Sequence, residues 1–286
     1  MKEIPVPVGS LKLNCAESSS TGRPLLLLPG MTSIWQSFLP LIPELEKYWH
    51  LYALELRGHG KSDRAESYKI QDFVPDVASV IRNYIKEPVS LFGHSLGGMI
   101  GILVAAHYPE LIKALILGDS ALSMEFLKEL SQKQKEKTIW QRNLVKTGDF
   151  EYIISELKQE LIPHRTRGEL VPAYQIFGED HPSFRITAQC LSLVDPEVLT
   201  ANLEGFDETF AEYKLQKLLP LIKCPVLIIQ ANPQLGGLER DEDVDMALRL
   251  LPKAQHIKIN HIGHFLHLQD KEAVLNAVLP FLRSLP

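Results

Sequence analysis

The chain reads as an α/β protein: a mostly parallel central sheet with helices on both faces. Three observations carry that reading. Short, near-continuous apolar runs alternate with longer amphipathic segments, the pattern of strands buried on both faces and separated by helices. A glycine-flanked serine, Gly93-His94-Ser95-Leu96-Gly97, falls between one such run and the amphipathic segment after it. After Asp119 the alternation stops, and it resumes only at Pro225.

Taken in order, Leu25-Leu26-Leu27-Leu28 reads as a strand stopped by Pro29-Gly30. Phe38 to Trp49 reads as a helix with Pro40 and Pro43 near its start, and Leu51 to Leu56 as the next strand. The loop Arg57-Gly58-His59-Gly60-Lys61-Ser62-Asp63 follows. Phe73, Val77, Val80, Ile81, Tyr84 and Ile85 have helical spacing. Val89 to Phe92 is a strand, Gly98 to Ala106 opens a helix, and Ala114 to Leu117 is a strand again. From about Ala121 to Lys217 the chain is polar and helix-like with no buried strand. The charge run from Lys128 to Lys137 there reads as a solvated helix face. Pro225 to Ile229 and His256 to Ile259 are strands, and Asp241 to Leu251 and Lys271 to Leu282 are helices. The expected organisation is a core of residues 1–120 and 218–286. Residues 121–217 form a helical lid inserted after the strand that ends at Asp119. A ligand site is expected at the carboxyl ends of the strands.

With 286 residues, 45% hydrophobic and 23% charged, the composition is that of an ordinary globular protein able to bury a large core. A net charge of −5 without a Lys/Arg stripe argues against nucleic acid or an anionic membrane as partner. Cys15, Cys190 and Cys224 form neither a C-x-x-C pair nor a disulfide framework, which fits a reducing compartment. Met1-Lys2-Glu3-Ile4-Pro5 lacks the apolar core of a signal peptide. No apolar run approaches the ~20 residues of a membrane helix. A soluble, cytoplasmic protein acting on a small molecule is expected.

G-x-S-x-G between strand and helix is the mark of a nucleophile elbow, a sharp turn that lifts a serine hydroxyl out of the sheet. Side chains at Gly93 and Gly97 would collide across so tight a turn. If Ser95 only capped the helix, the two glycines would have no purpose. A free serine hydroxyl is a weak nucleophile and needs a base within about 2.6–3.2 Å. Histidine suits that task at neutral pH. Gly263-His264 follows the last strand, on a loop at the strand ends. His261 and His267 compete for the role; His267 reads as packed. The three histidines lack a nearby partner carboxylate, so no metal site is expected, and no cofactor.

Four motifs now stand in order. They are Leu28-Pro29-Gly30-Met31, Arg57 to Asp63, the elbow at 93–97, and Gly263-His264-Phe265-Leu266-His267. Together they resemble lid-bearing members of the α/β-hydrolase superfamily, over roughly residues 5–120 and 218–285. The resemblance implies Ser95 as nucleophile, His264 as its base, and an oxyanion hole made by the backbone N–H groups of Leu96 and Met31. Many relatives carry His-Gly where this chain has Pro29-Gly30. Proline removes one N–H and leaves that of Met31 in place. The loop 57–63 is implied to be scaffold, His59 included.

The acid departs from the family pattern. Most relatives carry a carboxylate after the strand equivalent to Val226–Ile229, but here Gln230-Ala231-Asn232-Pro233-Gln234-Leu235-Gly236-Gly237 holds amides. An amide cannot stabilise an imidazolium as a carboxylate does. Asp119 is the first candidate, because its spacing from Ser95 resembles that of relatives with the acid after this strand. Its bland reading is an Asp that fixes a turn. The cluster Glu239/Asp241/Asp243 is the second, although Asp241 also reads as a helix N-cap. A dyad without an acid, or Asn232 orienting the histidine, completes the set.

The function implied is that of a serine hydrolase working through an acyl-enzyme on Ser95. Its substrate would be a small, mostly apolar ester, thioester, lactone or activated C–C compound. Serine at the elbow argues against relatives with an aspartate nucleophile, such as haloalkane dehalogenases and epoxide hydrolases. The alternative, motivated by the amide-rich loop, is a ligand-binding or receptor-like protein with little turnover. A third reading is cofactor-free oxygen chemistry in the same pocket. Trp140, Phe177, His181, Phe184 and Asp195-Pro196 lie in the lid and read as packing.

Overall fold

The computed structural model describes residues 1–163 and 169–285. Eight strands form one sheet: β1 (Lys2–Val8), β2 (Leu11–Glu17), β3 (Arg23–Leu28), β4 (Trp49–Leu54), β5 (Val89–His94), β6 (Ile112–Gly118), β9 (Val226–Ala231) and β10 (Ala254–Ile259). A separate hairpin pairs β7 (Leu161–Pro163) with β8 (Leu170–Pro172). The sheet order is β1-β2-β4-β3-β5-β6-β9-β10. The β1–β2 and β2–β4 pairs are antiparallel, and every pair from β4 to β10 is parallel.

The parallel strands read as apolar runs because both of their faces are covered. Leu26, Leu28, Leu91, Leu115 and Leu117 face α2 (Ile70–Ser79), α3 (Leu96–His107) and α12 (Asp241–Leu250). Leu25, Leu27, Phe92, Ile116, Leu227 and Ile229 face α1 (Ile42–Leu45) and α14 (Lys271–Arg283). Leu25 to Leu28 are fully buried, each worth about 1.5–3 kcal/mol relative to exposure. Helix α3 is buried from Leu96 to Ala106, as expected of a helix apolar on all sides.

Between β6 and β9 lie α4 (Met124–Lys133), α5 (Lys135–Thr147), α6 (Phe150–Gln159), α7 (Ala173–Phe177), α8 (Pro182–Ser192), α9 (Pro196–Glu204), α10 (Phe206–Thr209) and α11 (Leu215–Leu218). The β7–β8 hairpin is an element that the helix-like reading of 121–217 does not contain; residues 164–168 of that segment lie outside the described residues. Asp195 ties the insert to the core. Its N–H donates to the Gly58 carbonyl (2.8 Å), and its Oδ2 accepts from the buried Tyr68 hydroxyl (2.7 Å). Its Oδ1 caps α9 at the Glu197 N–H. Near the far end, the Tyr213 hydroxyl donates to the Ala121 carbonyl (2.9 Å).

Three elements differ from expectation. The helix expected over 38–49 is a 3₁₀ turn at Trp35–Phe38 followed by the single turn of α1. Pro40 and Pro43 each lack an N–H, and Pro43 fits only at the start of a helix. The helix expected over 73–85 is α2 followed by a π-helical turn, Val80–Ile85. It closes at Lys86 (φ 65°) with a Lys86 N–H to Ile81 carbonyl bond. Strands β1 and β2 have no counterpart in the apolar-run reading, since charged residues and prolines interrupt them.

The loop 57–63 is a brace between β2 and β4. The Ser62 Oγ accepts from Asn14 N–H (2.9 Å) and donates to the Glu55 carbonyl (2.7 Å). Glu55, almost wholly buried, accepts from Asn14 Nδ2 (2.9 Å) and Lys61 N–H (2.7 Å). Arg57 clamps Asp76 of α2 through two bonds of 2.7 and 2.8 Å. Removing the Ser62 hydroxyl leaves a buried N–H without its acceptor, at a cost of about 1–3 kcal/mol. Ser62→Ala should lower the unfolding free energy by that amount, seen in equilibrium urea unfolding as a lower midpoint at an unchanged m-value.

Candidate active site

Chain direction in the sheet reverses around β3, since the chain runs from β3 outward to β4 and returns to β5 on the other side. Such a switch point opens a crevice at the carboxyl ends of the strands. The loops after β3, β5 and β6 and the loop between β10 and α13 (Leu266–Gln269) meet there.

Ser95 sits between β5 and α3 with φ 53° and ψ −120°, a conformation costly for a residue with a side chain. The Ser95 N–H donates to the Gly118 carbonyl (3.0 Å), which ties the turn to β6. The flanking glycines are required by contact. A Cβ at Gly93 would lie 2.4 Å from the Gly97 carbonyl carbon, and one at Gly97 would lie 2.2 Å from the Leu28 carbonyl oxygen. Leu96 opens α3, so its N–H is one of the unpaired donors at the positive end of that helix.

Met31 lies in the loop after β3, at the wall of the same cavity. This loop is braced on two sides. Ser33 N–H donates to the Gly30 carbonyl (3.2 Å), and Thr32 N–H donates to His59 Nε2 (3.3 Å). His59 is fully buried, and its Nδ1–H donates to the Arg57 carbonyl (2.9 Å), which leaves Nε2 free to accept. Burial pushes the His59 pKa down to about 4, so the ring stays neutral.

His264 Nδ1 donates to Asp119 Oδ2 at 2.6 Å. Asp119 is fully buried with φ 45°, at the end of β6. Its carboxylate also accepts from the Leu238 N–H (3.1 and 3.0 Å) and the Ala231 N–H (3.4 Å). The bond from Nδ1 leaves the other ring nitrogen of His264 as the one able to take up a proton. Thr32, Ser95 and Asp119 are three of the four non-glycine residues with positive φ among the described residues. Backbone strain gathers at this crevice.

The other carboxylate candidates are spent elsewhere. Asp241 accepts from Gln230 Nε2 (2.7 Å) and from Lys258 Nζ, and Asp243 pairs with Arg240 (2.7 Å). Asp241 is the first residue of α12 and not its cap, a place held by Arg240. Asn232 donates to the Asn260 carbonyl (2.7 Å) and accepts from Gln234 N–H (2.9 Å). Glu239 is fully buried behind Asp119. One of its oxygens accepts from Ser120 N–H (3.0 Å), and the other has no hydrogen-bond partner. Burial, and then the neighbouring Asp119, hold the Glu239 carboxyl well above the usual range, so it is kept as the neutral acid.

His94 packs beside His264 and against His267. His261 lies apart from them, paired with Asp270 (2.8 Å). His267 is buried, stacked on Phe38 with centroids 4.9 Å apart, and neither of its ring nitrogens has a partner. Sequence reasoning missed His94. Its Nε2–H donates to the His264 carbonyl (2.8 Å), pinning the loop that carries His264. Burial holds the His94 pKa well below its ordinary value. Its place inside G-x-S-x-G was the one available signal, since that residue ends β5 beside the serine.

Ser95, Leu96, Met31 and His264 all line a cavity of about 380 Å³, within the usual size range of small-molecule sites. Leu127, Leu130, Gln134, Gln141, Val198 and Asn202, from α4 to α9, line it as well. Of the aromatic and polar residues expected to pack the insert, Phe184 is buried, Phe177 is exposed, and His181 caps α8 at Ser183 N–H (3.3 Å). Trp140 is half-buried against the core. Among the described residues no helix is long and apolar enough to cross a membrane.

Strand order, elbow and cavity together define a class: α/β proteins with a serine at a strand-to-helix turn. The alpha/beta hydrolase fold family matches residues 23–271, and the chain belongs to it. It is 36% identical over 115 residues to 2-(acetamidomethylene)succinate hydrolase of Mesorhizobium japonicum, covering 40% of this chain and 41% of that protein. It is 23% identical over 274 residues to (E)-2-((N-methylformamido)methylene)succinate hydrolase of Acinetobacter baylyi, covering 93% and 92%. The enol-lactonase of Burkholderia xenovorans superposes with a TM-score of 0.73 at 16% identity, covering 97% of this chain and 98% of the other; this shows a shared fold. The matches to the first curated relatives span 41%, 31% and 36% of their lengths.

His267 yields a pH test. Burial lowers its pKa to about 4, whereas unfolded histidine titrates near 6.5. The neutral ring therefore contributes stability that is complete above pH ~6.5 and lost as pH falls toward ~4, at up to ~1.4 kcal/mol per pH unit. His267→Phe, which keeps the stack on Phe38, should flatten stability against pH by that slope between pH 6.5 and 5. Urea unfolding at three pH values measures it, and an unchanged slope would show that His267 is not the neutral group.

Proposed function

We propose that this chain is a serine hydrolase that cleaves a small, mostly apolar ester, thioester or lactone through an acyl-enzyme on Ser95. The observation that carries this reading is the 2.6 Å bond from His264 Nδ1 to a buried Asp119, with His264 and Ser95 on the wall of one cavity. Membership of the alpha/beta hydrolase fold family and the hydrolase names of its relatives support it.

In this reading Asp119 fixes the tautomer and direction of the imidazole, as the carboxylate of a Ser-His-Asp triad does. His264 takes the Ser95 proton as the hydroxyl attacks the substrate carbonyl. The tetrahedral oxyanion is held by the N–H groups of Leu96 and Met31, each such donor being worth ~2.7–4 kcal/mol in the transition state. Return of the proton to the leaving group expels it. Water, deprotonated by the same imidazole, then attacks the acyl-enzyme and frees Ser95. In this reading His59 and His94 brace the two loops of this chemistry, that of Met31 and that of His264. Residues 121–217 serve as the lid that shapes the acyl pocket.

A fluorophosphonate probe should label Ser95, and p-nitrophenyl esters should give a burst of nitrophenol. Ser95→Ala and His264→Ala should each lower kcat by about 10⁴–10⁶ with little change in melting temperature. Wild-type protein that is folded yet neither labelled nor active would end the hydrolase reading. Asp119→Asn and Glu239→Gln separate the two buried carboxyls. The first should lower kcat by about 10³–10⁴, and the second by less than about fivefold, because an amide replaces a group already neutral. Equal losses would contradict the division of roles.

A further inference from the structure

We propose that the cavity selects an uncharged substrate, an apolar acyl group ending in a neutral hydrogen-bonding group, and discriminates against substrates with a free carboxylate. The proposal rests on the hydrolase reading and adds the substrate's charge class to it. On α5, Gln134 as its cap and then Thr138 and Gln141 recur at helical spacing, and all three line the cavity, as does Asn202 of α9. Amides and hydroxyls both donate and accept. Thr138 spends its proton on the Gln134 carbonyl (3.1 Å) and is left as an acceptor, while the amides offer both, so the stripe fits an amide, hydroxyl or carbonyl, none of which carries full charge. The residues before the stripe, Leu127 and Leu130 on α4, are apolar, like Ile70, Phe73 and Met99 on the core side.

Charge is balanced before a ligand enters. Among the described residues that line the cavity, Lys137 is the one lysine or arginine. Its ammonium lies 2.6 Å from the Glu160 carboxylate. A ligand carboxylate would exchange its water for a wall whose one cation is already paired with a carboxylate outside the cavity, a costly transfer for an unpaired ion. His94, the second imidazole on the wall, is kept neutral by burial and offers no counter-charge. A neutral ligand meets none of these penalties.

The test uses the p-nitrophenyl monoester of adipic acid, with its far carboxyl free, and the mixed p-nitrophenyl methyl diester. Wild-type kcat/KM should favour the methyl ester at least tenfold at neutral pH. Glu160→Gln, which releases Lys137, should narrow that gap at least threefold by raising the rate on the free acid. Calorimetric titration of Ser95→Ala with both esters reads the preference without turnover, and the same order in Kd is expected. Equal values, or a preference for the free acid, in either measurement overturn the proposal. An unchanged gap in Glu160→Gln overturns the part given to the Lys137–Glu160 pair. If wild type hydrolyses neither ester while Ser95→Ala still binds the methyl ester at least tenfold tighter, the charge assignment stands and the hydrolase reading fails.

Discussion

The bond between Asp119 and His264 joins positions 145 residues apart, and the arrangement of the crevice depends on it. It holds the loop after β10 against the end of β6, where no sheet hydrogen bond connects them, because β9 lies between those strands. The β9 loop carries amides where a carboxylate was expected, and it contributes in another way. Its Ala231 and Leu238 N–H groups both donate to Asp119, so the loop that holds amides solvates the carboxylate at the end of β6. The observation that favoured a binding protein without turnover, a histidine with only amides at hand, is thereby removed.

Two buried carboxyls lie back to back, and their surroundings decide which is charged. Asp119 receives three donors, while Glu239 receives one and keeps an oxygen without a partner. Hydrogen bonds to the charged form favour it, and a neighbouring like charge opposes a second ionisation. Burial, together with both effects, holds the Glu239 carboxyl well above its ordinary range, as environments do in acid pairs whose members take different roles. Burial holds the pKa values of His59, His94 and His267 down, so these rings add little charge around the crevice, where dipoles act more strongly than in water.

How much of this was legible depends on whether the signal was local. Strands such as Leu25–Leu28 and Val226–Ile229 could be read because burial on both faces leaves only apolar letters. The elbow could be read because its two glycines answer a collision within five residues. The helix expected over 38–49 failed because amphipathic spacing was weighed above two prolines. Strands β1 and β2 were hidden because they are specified by pairing along the sheet, as in Cys15 opposite Leu54, and not by an apolar run. Asp119 could be ranked first by spacing, but the donors that surround its carboxylate come from residues 231, 238 and 264, which no local pattern announces. His94 and His59 act on backbone atoms of distant loops, which no side-chain pattern announces.

The tether at Asp195 makes the two walls of the cavity mechanically unequal. The wall built from α9 is bolted to Gly58 and Tyr68 by buried bonds, so it moves only if the brace under β2 and β4 moves with it. The wall built from α4 has no fully buried residue, and its Lys128–Asp207 pair is exposed on both sides, of the kind that contributes about 0–1 kcal/mol, whereas α5 is anchored by buried Leu144 and Val145. An incoming molecule therefore meets one stiff side and one compliant side, and bulk is accommodated on the compliant one.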